Sequence, residues 1–304
     1  MLTGRGDTVG KMIVTGAAGF LGSNLVEQLS QTGHLVYAVV RPNSMHASRL
    51  AEIPNVRLVK FDISDNTTKL EDLINEKCDC LFHLAWHGDF FKFDDQIKNI
   101  EYSINILNSA KKIGCSKFIG AGSQAEYLVT DSLISEQTQI LPRGPYGAAK
   151  VGACFATREL AKELGIAWIW GRIFSVYGKN DLGKHLIPQI LNAYRNKTTI
   201  QLSSCRQMWD FLAAEDFADA FIALSEKGQA GEIYNVADGR YRSLKEYIEI
   251  IKSYIGDETI RYGDDPAPFI SMRPDVSKIQ RDTGWKPRID FGDMMELLVN
   301  VAKE

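Results

Sequence analysis

A run of three glycines near the start of the chain constrains the fold most, because it separates an apolar segment from a helical one. It lies in the sequence Thr15-Gly16-Ala17-Ala18-Gly19-Phe20-Leu21-Gly22. The first glycine permits a tight turn, the second lets backbone N–H groups approach a pyrophosphate, and the third lets the helix pack closely on the strand. The spacing predicts a dinucleotide site; the alternative is a glycine-rich turn without a ligand. The residues expected to contact the cofactor here are Gly16, Gly19, Phe20, Leu21 and Gly22.

Strand and helix signals alternate over the first 170 residues, which is typical of a parallel sheet with crossover helices. We expect strands at Lys11–Thr15, Leu35–Val40, Val56–Phe61, Cys80–Leu84, Lys117–Ala121 and Ala167–Trp170. Helical spacing is clearest in Leu21–Ser30, Gln96–Lys112 and Tyr146–Leu164. Beyond residue 171 the pattern loosens into helices at His185–Arg195, Glu215–Glu226, Leu244–Ile255 and Met294–Lys303, joined by short strands and turns.

These patterns predict an α/β fold, a Rossmann-type doubly wound parallel sheet with a smaller C-terminal α/β lobe. We assign residues 1–175 to the NAD(P)-binding domain, which carries the candidate catalytic residues. Residues 176–304 belong mainly to the lobe, with some segments returning to the sheet. A substrate would then lie between the two, at the carboxyl ends of the strands.

The composition of the 304-residue chain argues against several classes of function. A net charge of −3 lacks the basic excess of a general nucleic-acid surface, and no apolar run approaches the roughly 20 residues of a membrane span. The five cysteines form no C-x-x-C pair, so packing explains Cys78 and Cys80 better than metal binding does. No signal-peptide core precedes the first strand. We therefore expect a reduced, cytoplasmic protein with no metal, no nucleic-acid partner and no membrane association.

Tyr146 and Lys150 stand four residues apart, which places both side chains on one helical face about one turn from each other. A lysine ammonium there can lower the pKa of the phenol, so that the tyrosine gives or takes a proton near neutral pH. Taken alone, the pair is better explained by packing plus a solvated lysine, and Ser123 by a turn cap. Together with the glycine turn, the three residues predict hydride transfer at a carbinol or carbonyl carbon, with Ser123 orienting the oxygen.

The end of the second strand bears on the choice of nicotinamide cofactor. A carboxylate there would bind the ribose 2′-hydroxyl of NAD, but the strand ends at Arg41 instead. Arg41 can pair with a 2′-phosphate, and Asn43, Ser44 and Arg49 can donate hydrogen bonds to it. We therefore predict NADP(H), with NAD as the alternative if Arg41 is a solvated charge or stacks on the adenine. Asp62 and Ile63 follow the third strand and are expected at the edge of the adenine, unless Asp62 caps a helix.

Taken together, these motifs resemble the extended short-chain dehydrogenase/reductase family, the NAD(P)-dependent nucleotide-sugar epimerases, dehydratases and reductases. The resemblance covers residues 11–300 and rests on Thr15–Gly22, Phe82–Ala85, Asn99, Ser123, Tyr146 with Lys150, Arg172–Gly178 and Gly284–Pro287. It implies a Ser123–Tyr146–Lys150 triad and a lobe that binds a nucleoside-diphosphate sugar. It also implies cofactor contacts at Leu84, Ala85 and Asn99, with Asn99 supporting the catalytic architecture. A homodimer packed through two long helices, here Gln96–Lys112 and Tyr146–Leu164, is implied as well.

The chain departs from the dehydratases of this family at the position that removes water. Their Thr-Asp-Glu motif falls on Ser123, Gln124 and Ala125, so an amide and a methyl group replace the acidic pair. Neither group titrates near pH 7. Glu126 stands one position late and is expected to point elsewhere. Dehydration is therefore not expected, whereas a 4-ketoreductase and a 4-epimerase both need only the triad.

Candidate substrate contacts lie after the fourth strand and in the C-terminal half. They are Trp86, His87, Gln124, Ser175, Arg206, Trp209 and Arg273. Trp209 stands where relatives carry an arginine that contacts phosphate; Arg206 either replaces that arginine or is a surface charge. Arg273 matches a family arginine that contacts the diphosphate. Phe90, Phe91 and Phe93 form an aromatic loop that either covers the site or packs in the core.

Three functions are compatible with these observations. The first is NADPH-dependent reduction of a nucleoside-diphosphate 4-keto-6-deoxy sugar with Tyr146 as proton donor. It is favoured because NADPH is the usual stoichiometric reductant. The second is an NAD-dependent nucleotide-sugar 4-epimerase. The third is a non-catalytic cofactor-binding subunit, against which the intact triad argues.

Overall fold

The computed structural model describes residues 9–65, 67–128, 131–181, 185–265 and 270–303. The strands in these ranges are β1 (Lys11–Thr15), β2 (Leu35–Val40), β3 (Val56–Lys60), β4 (Cys80–His83), β5 (Lys117–Ser123), β6 (Ala167–Ile173), β7 (Val176–Tyr177), β8 (Ile200–Leu202), β9 (Met208–Trp209), β10 (Leu212–Ala213), β11 (Ile233–Val236), β12 (Arg242–Ser243) and β13 (Ile260–Tyr262). The helices are α1 (Phe20–Gln31), α2 (Ser48–Ala51), α3 (Leu70–Leu73), α4 (Phe93–Ile113), α5 (Gly144–Leu164), α6 (Leu186–Arg195), α7 (Ala214–Lys227), α8 (Leu244–Ile255), α9 (Ser277–Thr283) and α10 (Phe291–Lys303). A short 3-10 turn, Gln124–Glu126, follows β5.

Seven of these strands form one sheet in the order β3-β2-β1-β4-β5-β6-β11, and every neighbouring pair is parallel. The strand order reverses between β1 and β4, which pair with Thr15 opposite His83. At such a switch point the flanking connections diverge and leave a crevice at the carboxyl ends of the strands. The predicted doubly wound α/β fold class is confirmed, and the glycine turn after β1 lies in this crevice.

Helices cover both faces of the sheet and bury two separate apolar cores. On one face α1 packs against α7, around residues such as Leu25 and Phe221. On the other face α4 packs against α5, around Leu107 and Phe118. The central strands are therefore buried on both sides, which explains why they read as near-continuous apolar runs. None of the described helices has both the length and the apolar character that crossing a bilayer requires.

The C-terminal lobe has a third core of its own. Helices α6, α8 and α10 and the pairs β8–β13 and β9–β12 surround a group of aromatic side chains. Members of that group are Tyr177, Phe211, Tyr247 and Phe291. In contrast, α7, β11 and α9 return to the large sheet, where β11 pairs with β6. The chain thus passes between sheet and lobe more than once, and the domain division at residue 175 stays a prediction.

The predicted strand ends differ from the structure where glycines interrupt the apolar pattern. β5 continues to Ser123, past the predicted end at Ala121. Glycine is unfavourable in strands, so the presence of Gly120 and Gly122 leads a sequence-based prediction to end the strand too early. Both are needed because Trp170 lies across them: a β-carbon on Gly122 would lie 2.2 Å from the Trp170 indole nitrogen.

Substitution of two glycines separates the effect of space from that of backbone conformation. Gly165 has a φ of +65° and open space around an added β-carbon, whereas Gly122 is confined by Trp170. We expect Gly122→Ala to lower the free energy of unfolding by about 2–3 kcal/mol and Gly165→Ala to lower it by about 1 kcal/mol. Urea unfolding followed by circular dichroism measures both values. An equal or smaller loss for Gly122→Ala would contradict the packing of Trp170 on β5.

Candidate active site

Two adjoining cavities open at the carboxyl ends of β1, β4 and β5. The smaller, of about 390 Å³, extends towards the ends of β2 and β3. The larger, of about 690 Å³, lies between the sheet and the C-terminal lobe and is called the catalytic cavity below. Four residues line both: Gly16, Gly19, Leu84 and Trp86. The two cavities can therefore hold one extended ligand that crosses the glycine turn.

The glycine turn has no room for side chains where the two cavities meet. Gly16 has a φ of +71°, and a β-carbon there would lie 2.8 Å from the amide nitrogen of Ala85. A β-carbon on Gly22 would lie 2.1 Å from the carbonyl oxygen of Gly16, so α1 packs directly on the end of β1. No side chain caps α1, which leaves the N–H groups of its first turn available to an anion. This arrangement fits the pyrophosphate of a dinucleotide.

The smaller cavity brings together polar side chains from the ends of β2 and β3. Its polar lining residues include Arg41, Ser44, His46 and Asp62, with Ile63 and Ala85 beside them. The Asp62 carboxylate accepts hydrogen bonds from the backbone and the hydroxyl of Ser64, so it caps its own turn rather than a helix. Burial raises the pKa of Asp62, but these hydrogen bonds outweigh it and hold the pKa below its ordinary value. A cation and an anion therefore share this cavity.

Two residues predicted to bind a 2′-phosphate do not line the smaller cavity. Asn43 is exposed beside it. Arg49 donates to the Asn180 side-chain oxygen at 2.6 Å and to the His46 carbonyl oxygen at 3.3 Å. Through these hydrogen bonds, Arg49 connects α2 to the loop after β7. Of the predicted set, Arg41 and Ser44 remain in the cavity.

Ser123, Tyr146 and Lys150 all line the catalytic cavity. Ser123 ends β5 and caps the following 3-10 turn, with its hydroxyl oxygen accepting from the Ala125 N–H at 3.1 Å. Tyr146 lies in the first turn of α5, within hydrogen-bonding reach of Ser123. The turn and the helix are in close contact, since a β-carbon on Gly147 would lie 2.4 Å from the Ala125 carbonyl oxygen. The three predicted catalytic residues are thus brought to one wall of the cavity.

Burial dominates the acid–base properties of Tyr146 and Lys150. It raises the pKa of Tyr146 to about 12, although the hydrogen bond with Ser123 acts in the opposite direction. It lowers the pKa of Lys150 to about 7, against the attraction of Glu126. The expectation that Lys150 lowers the pKa of Tyr146 is therefore wrong for the protein alone. Lys150 is buried and Tyr146 is half-buried in the cavity wall, and the ammonium lies 5.8 Å from the centre of the phenol ring.

Aromatic rings surround this pair. The Lys150 ammonium donates a hydrogen bond to the Ala121 carbonyl oxygen at 2.7 Å and lies 3.6 Å from the centre of the Trp86 ring. Trp86 meets Tyr146 edge to face, with 5.9 Å between ring centres, and Phe90 packs on Tyr146 at 4.7 Å. All three phenylalanines of this segment are exposed, but of the three only Phe90 lines the cavity. These rings account for the burial of the phenol.

Two amides of α4 hold the loop after β4. Asn99 accepts from the His87 N–H at 2.8 Å and donates to the His87 carbonyl oxygen at 2.9 Å. Gln96 accepts from the Trp86 indole at 2.7 Å and donates to the carbonyl oxygens of His87 and Asp89. Asn99 is buried and lines neither cavity, so its hydrogen bonds agree with the predicted supporting role and not with a cofactor contact. Sequence reasoning missed Gln96, although a second amide on the helical face of Asn99 was a signal for it.

The structure corrects the role predicted for His87. This residue lines the smaller cavity and not the catalytic one, and its ring packs edge to face on Tyr102 at 6.1 Å. Because Asn99 holds both backbone groups of His87, the side chain is kept on the cofactor side rather than at the sugar. His83 is structural: it is buried and hydrogen-bonded to the hydroxyls of Thr15 and Ser103, and burial lowers its pKa to about 3.

Glu126 points into the protein interior, as expected. Its carboxylate accepts hydrogen bonds from the Ser123 N–H at 2.9 Å, the Trp170 indole at 3.0 Å and the Arg172 guanidinium at 2.8 Å. Gln124 lines the cavity where dehydratases carry an acid, and in the described part of the chain its buried amide oxygen has no hydrogen-bond partner. The cavity wall beside Tyr146 therefore offers an amide rather than a carboxylate.

The predicted substrate residues divide into two groups. Trp86, Gln124, Ser175 and Trp209 line the catalytic cavity. Arg206 does not; its exposed side chain pairs with Asp265, which agrees with the alternative that it is a surface charge. Arg273 does not line the cavity either; its Nε is buried, with no partner among the residues described.

Two further polar residues that lie outside the predicted substrate set also line the cavity. Gln207 lines the cavity beside Trp209, and its proximity to that residue in the sequence was the available signal. His185, at the start of α6, also lines the cavity, and its hydrogen bond with Asp181 at 2.9 Å raises its pKa.

Lys150 reduces the stability of the fold in a pH-dependent way. A lysine side chain has an ordinary pKa of 10.5, whereas the pKa of Lys150 in the folded protein is about 7. Between these values the unfolded chain binds more protons, so stability rises with pH through that window, and the penalty is fully present below pH 7. We expect the Lys150→Met variant to be more stable than the unsubstituted protein. Its free energy of unfolding should be higher by roughly 1–3 kcal/mol at about pH 6, and by less at about pH 9.5.

Urea unfolding at the two pH values measures this difference. Lys162→Met is the matched control, because Lys162 lies on the same helix but is exposed and paired with Glu159. The control is expected to show no gain at either pH. A gain for Lys150→Met that does not change with pH would contradict the burial of its charge.

Comparison with known proteins gives a match of residues 12–237 to the NAD dependent epimerase/dehydratase family. The chain is 29% identical over 305 residues to a trifunctional UDP-glucose 4,6-dehydratase/UDP-4-keto-6-deoxy-D-glucose 3,5-epimerase/UDP-4-keto-L-rhamnose-reductase of Arabidopsis thaliana. That match covers 92% of this chain and 45% of the relative, so the chain spans less than half of that relative's length. It is also 26% identical over 307 residues to the dTDP-4-dehydro-6-deoxyglucose reductase of Escherichia coli, covering 95% of this chain and 96% of the relative.

Solved structures share the fold. The UDP-N-acetylglucosamine 4-epimerase of Methanobrevibacter ruminantium matches with a TM-score of 0.86 at 23% identity, covering 98% of this chain and 100% of that one. RMD from Pseudomonas aeruginosa, complexed with NADPH, matches with a TM-score of 0.81 at 22% identity, covering 97% and 99%. Since the family match extends over residues 12–237, the chain belongs to the NAD dependent epimerase/dehydratase family and is an enzyme.

Proposed function

We propose that the protein reduces the 4-keto group of a nucleoside-diphosphate 4-keto-6-deoxy sugar with NADPH. The observation that carries this proposal is the convergence of Ser123, Tyr146 and Lys150 in one cavity, next to a neutral Gln124. The nearby Glu126 is buried against Arg172 and is not available to a substrate. Dehydration then lacks its acid and base, whereas reduction of a carbonyl group needs only the three residues.

Tyr146 is the proton donor in this proposal. When bound, the nicotinamide supplies a hydride to the carbonyl carbon of the substrate. The phenol gives its proton to the carbonyl oxygen, which the Ser123 hydroxyl orients. With cofactor and substrate bound, the Lys150 ammonium, one turn along α5, would stabilise the tyrosinate that forms through its opposite charge, an effect that the protein alone does not show.

The pKa of Tyr146 sets the protonation state from which the proposed reduction starts. A value of about 12 keeps the phenol protonated at neutral pH, which suits a proton donor. NAD-dependent 4-epimerisation is the second candidate, because the Asp62 carboxylate in the smaller cavity can accept a hydrogen bond from a ribose hydroxyl.

The surroundings of Tyr146 support a deoxy sugar as substrate. Trp86 and Phe90 contact the phenol ring, and Phe174 lines the same cavity. A methyl group at the sugar C6 is favourably buried against such rings, whereas a hydroxyl or carboxylate there would need a polar partner. We assign the sugar contacts to Gln124 and Ser175, and the nucleobase contact to Trp209.

The preference for NADPH rests on Arg41. This guanidinium lies at the edge of the smaller cavity, with the Ser44 hydroxyl in the same lining. A planar guanidinium can form two parallel hydrogen bonds to a phosphate, which a neutral ribose hydroxyl does not match. Leu84 and Ala85, at the end of β4, are the proposed apolar contacts of the cofactor.

We also propose a cytoplasmic homodimer that packs through α4 and α5. The two helices lie side by side on one face of the sheet. Near its start α4 exposes Phe93 and Ile97, which lie one turn apart. Large apolar side chains grouped in this way are typical of protein–protein contact surfaces.

Tyr146→Phe tests the proton donor. We expect kcat for NADPH oxidation with a nucleotide-linked 4-keto-6-deoxy sugar to fall by about 10²–10⁴-fold, because phenylalanine has no proton to give. The Kd for NADPH, measured by calorimetry, is expected to stay unchanged. Tyr262→Phe is the matched control with normal kcat, since it loses only a hydrogen bond to Glu249 outside the cavity. Full activity in Tyr146→Phe would refute the assignment.

Arg41→Ala tests the cofactor. We expect kcat/KM for NADPH to fall by about 10–100-fold and that for NADH to change little, since only NADPH carries the 2′-phosphate. Arg57→Ala is the matched control, because Arg57 is exposed on the neighbouring β3 and pairs with Glu76. The nucleotide that the purified protein releases on denaturation gives a second measurement. Release of stoichiometric NAD would count against the reductase and in favour of the epimerase.

A further inference from the structure

We propose that Trp86 is a positioning residue for Lys150, and that its indole face holds the lysine ammonium charged and in place beside Tyr146. The ammonium lies 3.6 Å from the centre of the indole ring, well within the approximately 6 Å over which a ring attracts a cation. The inference rests on the proposed function in one respect, namely that Lys150 takes part in catalysis. The contact itself is a property of the protein alone.

The Trp86 ring is held from behind by α4. Its indole N–H donates to the Gln96 side-chain oxygen at 2.7 Å, and Gln96 is fully buried. The Gln96 amide nitrogen donates to the carbonyl oxygens of His87 and Asp89. Because both amide hydrogens are used in this way, Gln96 can present only its oxygen to Trp86. The position of the ring is therefore set by a rigid helix.

Lys150 needs such a partner because it is buried and lacks a direct ion pair among the described residues. The titratable groups that face it are Glu126 from the turn after β5, His83 from β4 and Tyr146 from its own helix. The Glu126 carboxylate is already bonded to Arg172, and His83 is neutral at pH 7. The Ala121 carbonyl oxygen accepts one N–H of the ammonium. The indole face supplies the remaining attraction to the charge.

Trp86 also stands at the junction of the two cavities, since it lines both. A ligand that spans them passes this ring, so the ring and the ligand have access to the same ammonium. Removal of the ring should therefore change the pKa of Lys150 even in the protein without cofactor. This places the decisive measurement in the protein alone.

The experiment is an NMR titration of the cofactor-free protein with carbon-13-labelled lysine, in which Lys150→Arg identifies the Lys150 signal by its loss. We expect Trp86→Leu to lower the pKa of Lys150 by about one unit, since a desolvated cation–π contact is worth roughly a factor of ten. Trp86→Phe keeps an aromatic face and should recover at least half of that shift. Trp209→Leu, which truncates another tryptophan of the cavity wall, is the control and should leave the pKa unchanged.

Equal pKa values in Trp86→Leu and Trp86→Phe would overturn the proposal, because they would show that the aromatic face has no influence on the charge. An unchanged pKa in Trp86→Leu would overturn it as well. Trp86→Met, which is also non-aromatic, takes its place if the leucine variant does not fold. Loss of kcat in Trp86→Leu with partial recovery in Trp86→Phe would connect the contact to turnover. The pKa changes could be found as expected while the protein reduces no keto sugar. That result would uphold the role of Trp86 and would count only against the proposed function.

Discussion

The buried carboxylate of Glu126 is the contact on which the geometry of the active site depends. It accepts hydrogen bonds from Ser123, Trp170 and Arg172, and all four residues are buried. A charge in the interior is tolerated only when it is paired and hydrogen-bonded, so Glu126 fixes its partners on β5 and β6 relative to one another. The same turn abuts α5 at Gly147. The ion pair between Glu126 and Arg172 thus fixes the end of β5, which presents the Ser123 hydroxyl. It also fixes the start of α5, which carries Tyr146.

Several departures from locally favourable structure meet at the catalytic cavity. Gly16 adopts a left-handed conformation, and Gly122 weakens a central strand to admit Trp170. Lys150 lies in an interior that opposes its charge. Proteins concentrate such departures at functional sites, where the surrounding fold compensates for them. Here the compensation comes from the two apolar cores that cover the sheet.

The sequence predicts the parts of this molecule that depend on local pattern. β1 and β2 begin and end as predicted, because strands buried on both faces are continuous apolar runs. Motif spacing likewise predicted that Ser123, Tyr146 and Lys150 would share one cavity. What the spacing left open or predicted wrongly depends on distant contacts that it does not encode. Arg206 is held away from the cavity by Asp265, which lies 59 residues later, and the pKa of Tyr146 is set by rings from the loop after β4.

The position of β11 at the edge of the sheet bears on how the chain folds during synthesis. β11 pairs with β6, although residues 174–232 lie between them in the sequence. A ribosome adds about 5–20 residues per second, so for several seconds the sheet ends at an unpaired β6. An open, apolar strand edge is a template for wrong pairing with another chain. The segment that contains α7 and β11 covers the sheet face and pairs with β6, so its arrival buries the seven-residue edge of β6 and leaves the four-residue β11 as the outer strand, which is a shorter template for such pairing.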